Sequence, residues 1–218
     1  VEREGLAIPT VYGEFLANYP AQFEVCINED TSWSCFHGVE RWRSHCGCCL
    51  KSEQDWSQQW RQHLRETLDW LKDHLKSVFS ENMSPYYDEP WTIRNEYIHV
   101  ILDQSPQKQD DILWKRSKID LCKKDKERII NLLEMQHCAM LMFTSCGWFF
   151  DDISGLETIQ ILQYAARAMQ LAQDLTQQDL ESEFKNRLAS AVSNISEMKN
   201  GKVVYDLYVK PAMRGVGK

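Results

Sequence analysis

Lys126-Glu-Arg-Ile-Ile-Asn-Leu-Leu-Glu-Met-Gln-His-Cys-Ala-Met-Leu-Met-Phe143 is the stretch that decides the fold. Ile129, Ile130, Leu132, Leu133, Met135, Met140, Leu141, Met142 and Phe143 leave few polar positions around a helical turn. A helix apolar on nearly every side is one surrounded by other helices. It stops at Ser145-Cys146-Gly147. Ser154 with Glu157 then reads as a capping box opening a helix over 156–174, and Thr176 with Asp179 repeats the device for a helix running to about Ile195. The alternation in Val203-Val-Tyr-Asp-Leu-Tyr-Val209 predicts a short strand.

On the other side of the central stretch, Trp56, Trp60, Leu64, Leu68, Leu71, Leu75, Val78 and Phe79 recur at three- and four-residue steps. That spacing predicts a long amphipathic helix, opened by a Ser52/Asp55 capping box and ended near Asn82 by Ser84-Pro85. A second helix over 89–102 has Pro90 in its first turn; 105–109 reads as a loop and 110–121 as a short helix. Residues 6–49 carry Pro9, Gly13, Pro20, Gly38 and Gly47 without a sustained period, so they read as looping chain with a short strand over 23–27. The expected class is mainly α: a helical bundle (52–200) with an irregular N-terminal segment (1–51) and a C-terminal strand or tail (201–218).

Composition excludes several functions. The chain has 218 residues, 43% hydrophobic and 26% charged, and lacks the run of about 18 apolar residues that a membrane span needs. A net charge of −7 and a pI near 5.4 oppose a sequence-independent nucleic-acid binder. The opening Val-Glu-Arg-Glu-Gly-Leu resembles no signal peptide and reads as an interior cut of a longer polypeptide. Eight cysteines, three of them crowded at Cys46, Cys48 and Cys49, suit free thiols in a reducing, cytoplasmic setting better than a disulfide framework.

Two loops concentrate residues suited to ligand contact. In Thr31–Cys49, Trp33 and Trp42 stand beside His37, Glu40, Arg41 and Arg43, and Gly38 permits close backbone approach. Aromatic faces beside directed polar groups suit a sugar. In Thr144–Gly155, Trp148, Phe149 and Phe150 precede Asp151 and Asp152, which sit before a helix N-terminus where negative charge is favoured. Structural alternatives stand beside both readings: tryptophans packed on the bundle, aspartates that cap, and Trp148, Phe149 and Phe150 reading as core rather than platform, with one of them able to face a cleft. Cys35, His37, His45, Cys46, Cys48 and Cys49 offer sulfur and nitrogen donors, but they lack paired C-x-x-C knuckles, and aiming the adjacent thiolates of Cys48 and Cys49 at one ion would take an unusual loop. The expectation is therefore no metal and no cofactor. A zinc or thiol module remains the alternative, with a purely structural bundle as a third.

Thr31-Ser-Trp-Ser-Cys35, His37-Gly-Val-Glu-Arg-Trp-Arg-Ser44 and Cys46-Gly-Cys48 resemble the helical domain of unknown function that follows the catalytic barrel in glycoside hydrolase family 57-like proteins. So do Ala139–Asp151, Ser154-Gly-Leu-Glu-Thr158 and Leu162-Gln-Tyr-Ala-Ala-Arg-Ala168. The resemblance implies an accessory domain, inactive by itself, whose partners are the barrel of the same polypeptide and an α-glucan-type carbohydrate. The retaining pair of carboxylates would belong to that barrel. It further implies that Trp33 stacks on a sugar ring and His37 bonds a hydroxyl. Where such relatives carry an acidic residue before the first of the paired cysteines, this chain has His45.

Overall fold

Apolar rows at helical spacing become helices along most of the chain, and the computed structural model describes them over residues 3–50 and 55–213. Contacts group the chain into two units, Val1–Thr31 and Ser32–Lys218. The first unit holds a short helix, α1 (Tyr12–Asn18), followed by chain without regular secondary structure. The strand expected over 23–27 is absent. Phe23, Val25 and Ile27 are exposed, and no neighbouring strand among the described residues completes a ladder.

In the second unit, α2 (Trp60–Met83) buries Trp60, Leu64, Leu68, Leu71, Leu75, Val78 and Phe79, the row its sequence predicts. Ser52 lies outside the described residues, while Asp55 and Trp56 precede the helix. The next helix, α3 (Pro90–Leu102), starts on its proline as expected. The expected loop over 105–109 is instead α4 (Pro106–Gln109), which runs into a π-helical turn over Asp110–Trp114. Its start has a clear cause: the Ser105 side chain accepts the Lys108 N–H, and Pro106 occupies a position that needs no donor.

The central stretch forms α5 (Lys123–Leu141), with Ile129, Leu132, Leu133, Met135, Cys138 and Ala139 buried. It packs on α2 and, more extensively, on the later helix α7 (Leu156–Thr176). Between them lies one turn, α6 (Cys146–Phe149). The Ser154/Glu157 box does not form: Gly155 caps α7, and the Ser154 hydroxyl donates to Asp152 instead. At α8 (Glu181–Leu188) Asp179 accepts the Ser182 N–H, but the helix ends well short of Ile195.

The predicted C-terminal strand is a correction. Residues 201–212 wind as α9 (Gly201–Val204), a π-helical turn over Tyr205–Val209 and a 3₁₀ turn over Lys210–Ala212. The burial of Val204, Tyr205 and Val209 follows a helical turn and not an alternating ribbon, with Tyr205 packed 5.9 Å from Phe184. Gly201 permits this: a Cβ there would stand 2.9 Å from the Leu188 carbonyl oxygen. No described helix is long and apolar enough to cross a membrane.

Candidate functional site

The two loops singled out by composition meet, and buried arginines tie them together. Arg41 lies in a 3₁₀ turn over Glu40–Trp42 and donates to the Phe149 carbonyl at 2.6 Å and the Ser34 carbonyl at 3.1 Å. Its guanidinium also rests 4.9 Å from the centre of the Phe149 ring. Trp42 donates its indole N–H to the Ser145 carbonyl at 2.8 Å, and the Leu50 N–H bonds the Asp151 carboxylate at 2.9 Å. From α2, fully buried Arg61 reaches across to the carbonyls of Cys48 at 2.6 Å and Phe150 at 3.0 Å, with Asp151 3.8 Å away. Burial lowers the Arg61 pKa, and the neighbouring Arg41 charge lowers it further, opposed by Cys46, Asp151 and Cys48.

Several residues expected at a ligand surface are thereby spent on the frame. Arg41, Trp148, Asp151 and Asp152 are all buried. Trp148 donates its N–H to the Arg61 carbonyl and stacks on Phe143. The Asp152 carboxylate accepts from the Ser154 N–H and hydroxyl, the Ser193 hydroxyl and the Asn194 N–H, so it holds the 193–195 turn rather than facing solvent. The reason is common to all four: a buried charge or indole N–H must find partners inside the protein, and neighbouring backbone groups, with two serine hydroxyls at Asp152, supply them.

What remains outward is aromatic. Trp33 is 91% exposed, its ring 5.8 Å from that of Phe149, and Phe149 meets half-exposed Phe150 at 5.3 Å. These three rings form a short ladder across both loops. Nearby in sequence, His37 and Arg43 are exposed, while Glu40 is partly buried and accepts the Ser44 hydroxyl at 2.7 Å.

Behind Trp33 the thiols converge. Cys35 Sγ lies 3.8 Å from Cys46 Sγ and 3.7 Å from Cys48 Sγ, and His37 Nδ1 lies 3.9 and 3.6 Å from Cys35 and Cys48. All four donor atoms fall within 4.8 Å of one another, and His45 and Cys49 stay outside the group. The anticipated obstacle of aiming adjacent thiolates at one point does not arise. Each pair is instead separated by one residue, and glycines with positive φ bend the chain, Gly47 at 76° between Cys46 and Cys48 and Gly38 at 70° after His37. Burial raises the Cys35 thiol, but hydrogen bonds from His37 and Cys48 outweigh it and bring the pKa down to about 7. Burial, with Cys35 and Cys46 beside it, pushes Cys48 up to about 11. Three sulfurs and one imidazole nitrogen form a soft donor set of the kind that structural zinc takes.

Arg61 escaped the sequence reading because arginine at a helix start passes for surface. Its signal was positional: it stands three residues before Leu64 and seven before Leu68, on the buried row itself.

Comparison with known proteins gives one family. The model of the family described as Domain of unknown function (DUF3536) matches residues 56–218. No curated protein and no solved structure matches the chain.

Proposed function

The chain belongs to the DUF3536 family, a domain of unknown function, and on that premise we propose that it is a non-catalytic accessory domain of a glycoside hydrolase family 57-like protein. In this reading it lines the carbohydrate cleft of a barrel that carries the reactive carboxylates, in a reducing, cytoplasmic setting. The observation that carries the proposal is the aromatic ladder of Trp33, Phe149 and Phe150, exposed at the Trp33 and Phe150 ends. Trp33 tilted by 37° to Phe149, and Phe150 set edge-on to it at 82°, offer aromatic surface on which the apolar C–H faces of sugar units can pack. Exposed His37 and Arg43 supply polar groups for hydroxyls on the same loop. The buried Arg41, Asp151 and Asp152 act as positioning residues that fix the loops bearing the rings.

The test is an α-glucan assay of the whole polypeptide that carries this domain, wild type beside Trp33→Ala. Loss of a stacking platform worth about 1 kcal/mol or more should raise KM roughly fivefold or more while leaving kcat nearly unchanged. Unchanged KM and kcat in an active parent would remove Trp33 from the site.

A further inference from the structure

We propose that Cys35, His37, Cys46 and Cys48 bind one zinc ion in a closed structural centre that fixes the Trp33 loop. The distances carry the argument. A tetrahedral zinc ion bonded to sulfur at about 2.3 Å and to imidazole nitrogen at about 2.0–2.1 Å sets S···S edges at about 3.8 Å and S···N edges at about 3.6 Å. The sulfur pairs here stand 3.8 and 3.7 Å apart, and the sulfur–nitrogen pairs 3.9 and 3.6 Å. Four of the six edges thus match such a tetrahedron, and all four donor atoms lie within 4.8 Å of one another. All eight cysteines are free, so none of the three sulfurs is committed to a disulfide.

The surroundings agree in charge. Zinc with three thiolates and a neutral imidazole carries a net charge of −1. Two guanidiniums, Arg41 and Arg61, are buried nearby, and Asp151 beside Arg61 offsets one of those charges. A centre of charge −1 offsets the other. Arg61 holds the Cys48 carbonyl, fixing the second pair of ligands against α2. Four protein donors leave no coordination position for water or substrate, so the centre is structural and not hydrolytic. Its role is to close the loop over 35–48 next to the exposed Trp33, which a disordered loop could not hold against Phe149.

The experiment measures metal in the purified chain, produced with zinc supplied and then desalted into metal-free buffer. About one equivalent of zinc per chain is expected, with Cys35→Ser and Cys48→Ser each falling to about a tenth of that or less. Cys122→Ser, which removes an exposed thiol outside the cluster, keeps the full equivalent. Because a ligand variant can fail to fold, cobalt(II) is also exchanged into the wild type, where intense visible bands and thiolate charge transfer report a tetrahedral sulfur-rich site. Wild-type protein that is helical by circular dichroism yet holds far less than one equivalent overturns the proposal. So does full retention of zinc by both ligand variants, a weak octahedral cobalt spectrum, or a Cys35 disulfide found by mass spectrometry in zinc-supplied protein. None of these readings involves sugar, so failure of the zinc centre and failure of the glucan reading are separately visible.

Discussion

Replacing Arg61 by Met tests whether the buried guanidinium is what joins the loops to the bundle. In the native protein Arg61 is fully buried, bonds the carbonyls of Cys48 and Phe150, and lies 3.8 Å from Asp151. Met matches its stem in bulk but leaves the Cys48 and Phe150 carbonyls short of a donor and removes the guanidinium that lies 3.8 Å from Asp151. Each charged hydrogen bond lost costs about 1.5–3 kcal/mol, and breaking a buried pair from one side about 3–5 kcal/mol in all, since the native arginine also bears a desolvation cost. We take about 3–5 kcal/mol, which for a chain of this size lowers Tm by roughly 6–20 °C. Thermal unfolding followed by circular dichroism at neutral pH reads the shift. Part of the cost is the lost attraction between Arg61 and Asp151, so Asp151→Asn should cost less in the Arg61→Met background than in the wild type, giving a coupling of about 1 kcal/mol or more in the double-mutant cycle. A single variant within about 1 °C of wild type, or strict additivity with Asp151→Asn, would refute the reasoning.

Two further outcomes follow from the same bonds. Asp152→Ala should destabilise the protein by about 2–4 kcal/mol by leaving the Ser193 hydroxyl and Asn194 N–H without their acceptor. Hydrogen exchange at the Asn194 amide should accelerate, while unaltered protection would place the turn's stability elsewhere. At the surface, burial raises the Asp69 carboxyl, but hydrogen bonds from Lys72 and Arg65 outweigh it and hold the pKa below its ordinary value. A depressed folded pKa gives stability that is present above the unfolded value and lost as pH falls through the folded one. Because these groups are about a third exposed and screened by water, Asp69→Asn should cost only about 0.5–1 kcal/mol at pH 7. The gap to wild type should close as pH falls through the depressed folded pKa, below the ordinary carboxylate range; a gap that stays constant into acid in urea titrations contradicts the assignment.

Legibility differed from element to element for physical reasons. The rows Trp60–Phe79 and Ile129–Ala139 were readable because burial on a helix imposes a period of 3.6 on the sequence. The ends were less so: Ser154 prefers Asp152 to α7, and Ser105 opens a helix where proline and glutamine suggested a loop. At 203–209, alternation of apolar residues suggested a strand, but a strand needs a neighbour, and the chain winds against α8 instead. Among the candidate site residues, composition found the two loops and Trp33, yet could not separate Arg41, Asp151 and Asp152 as frame from Trp33 as face.

The sequence by itself determined the helical class and its buried rows, because each helix carries its own periodic record of which side is covered. It also supplied the cysteines, the histidine and the arginines, but not their convergence. Only the tertiary structure decided that, since the approach of Cys35 to Cys46 and Cys48 depends on two left-handed glycines and on Arg61 reaching from a helix more than ten residues away. Contacts between segments distant in sequence are set by packing of the whole, and no local pattern encodes them.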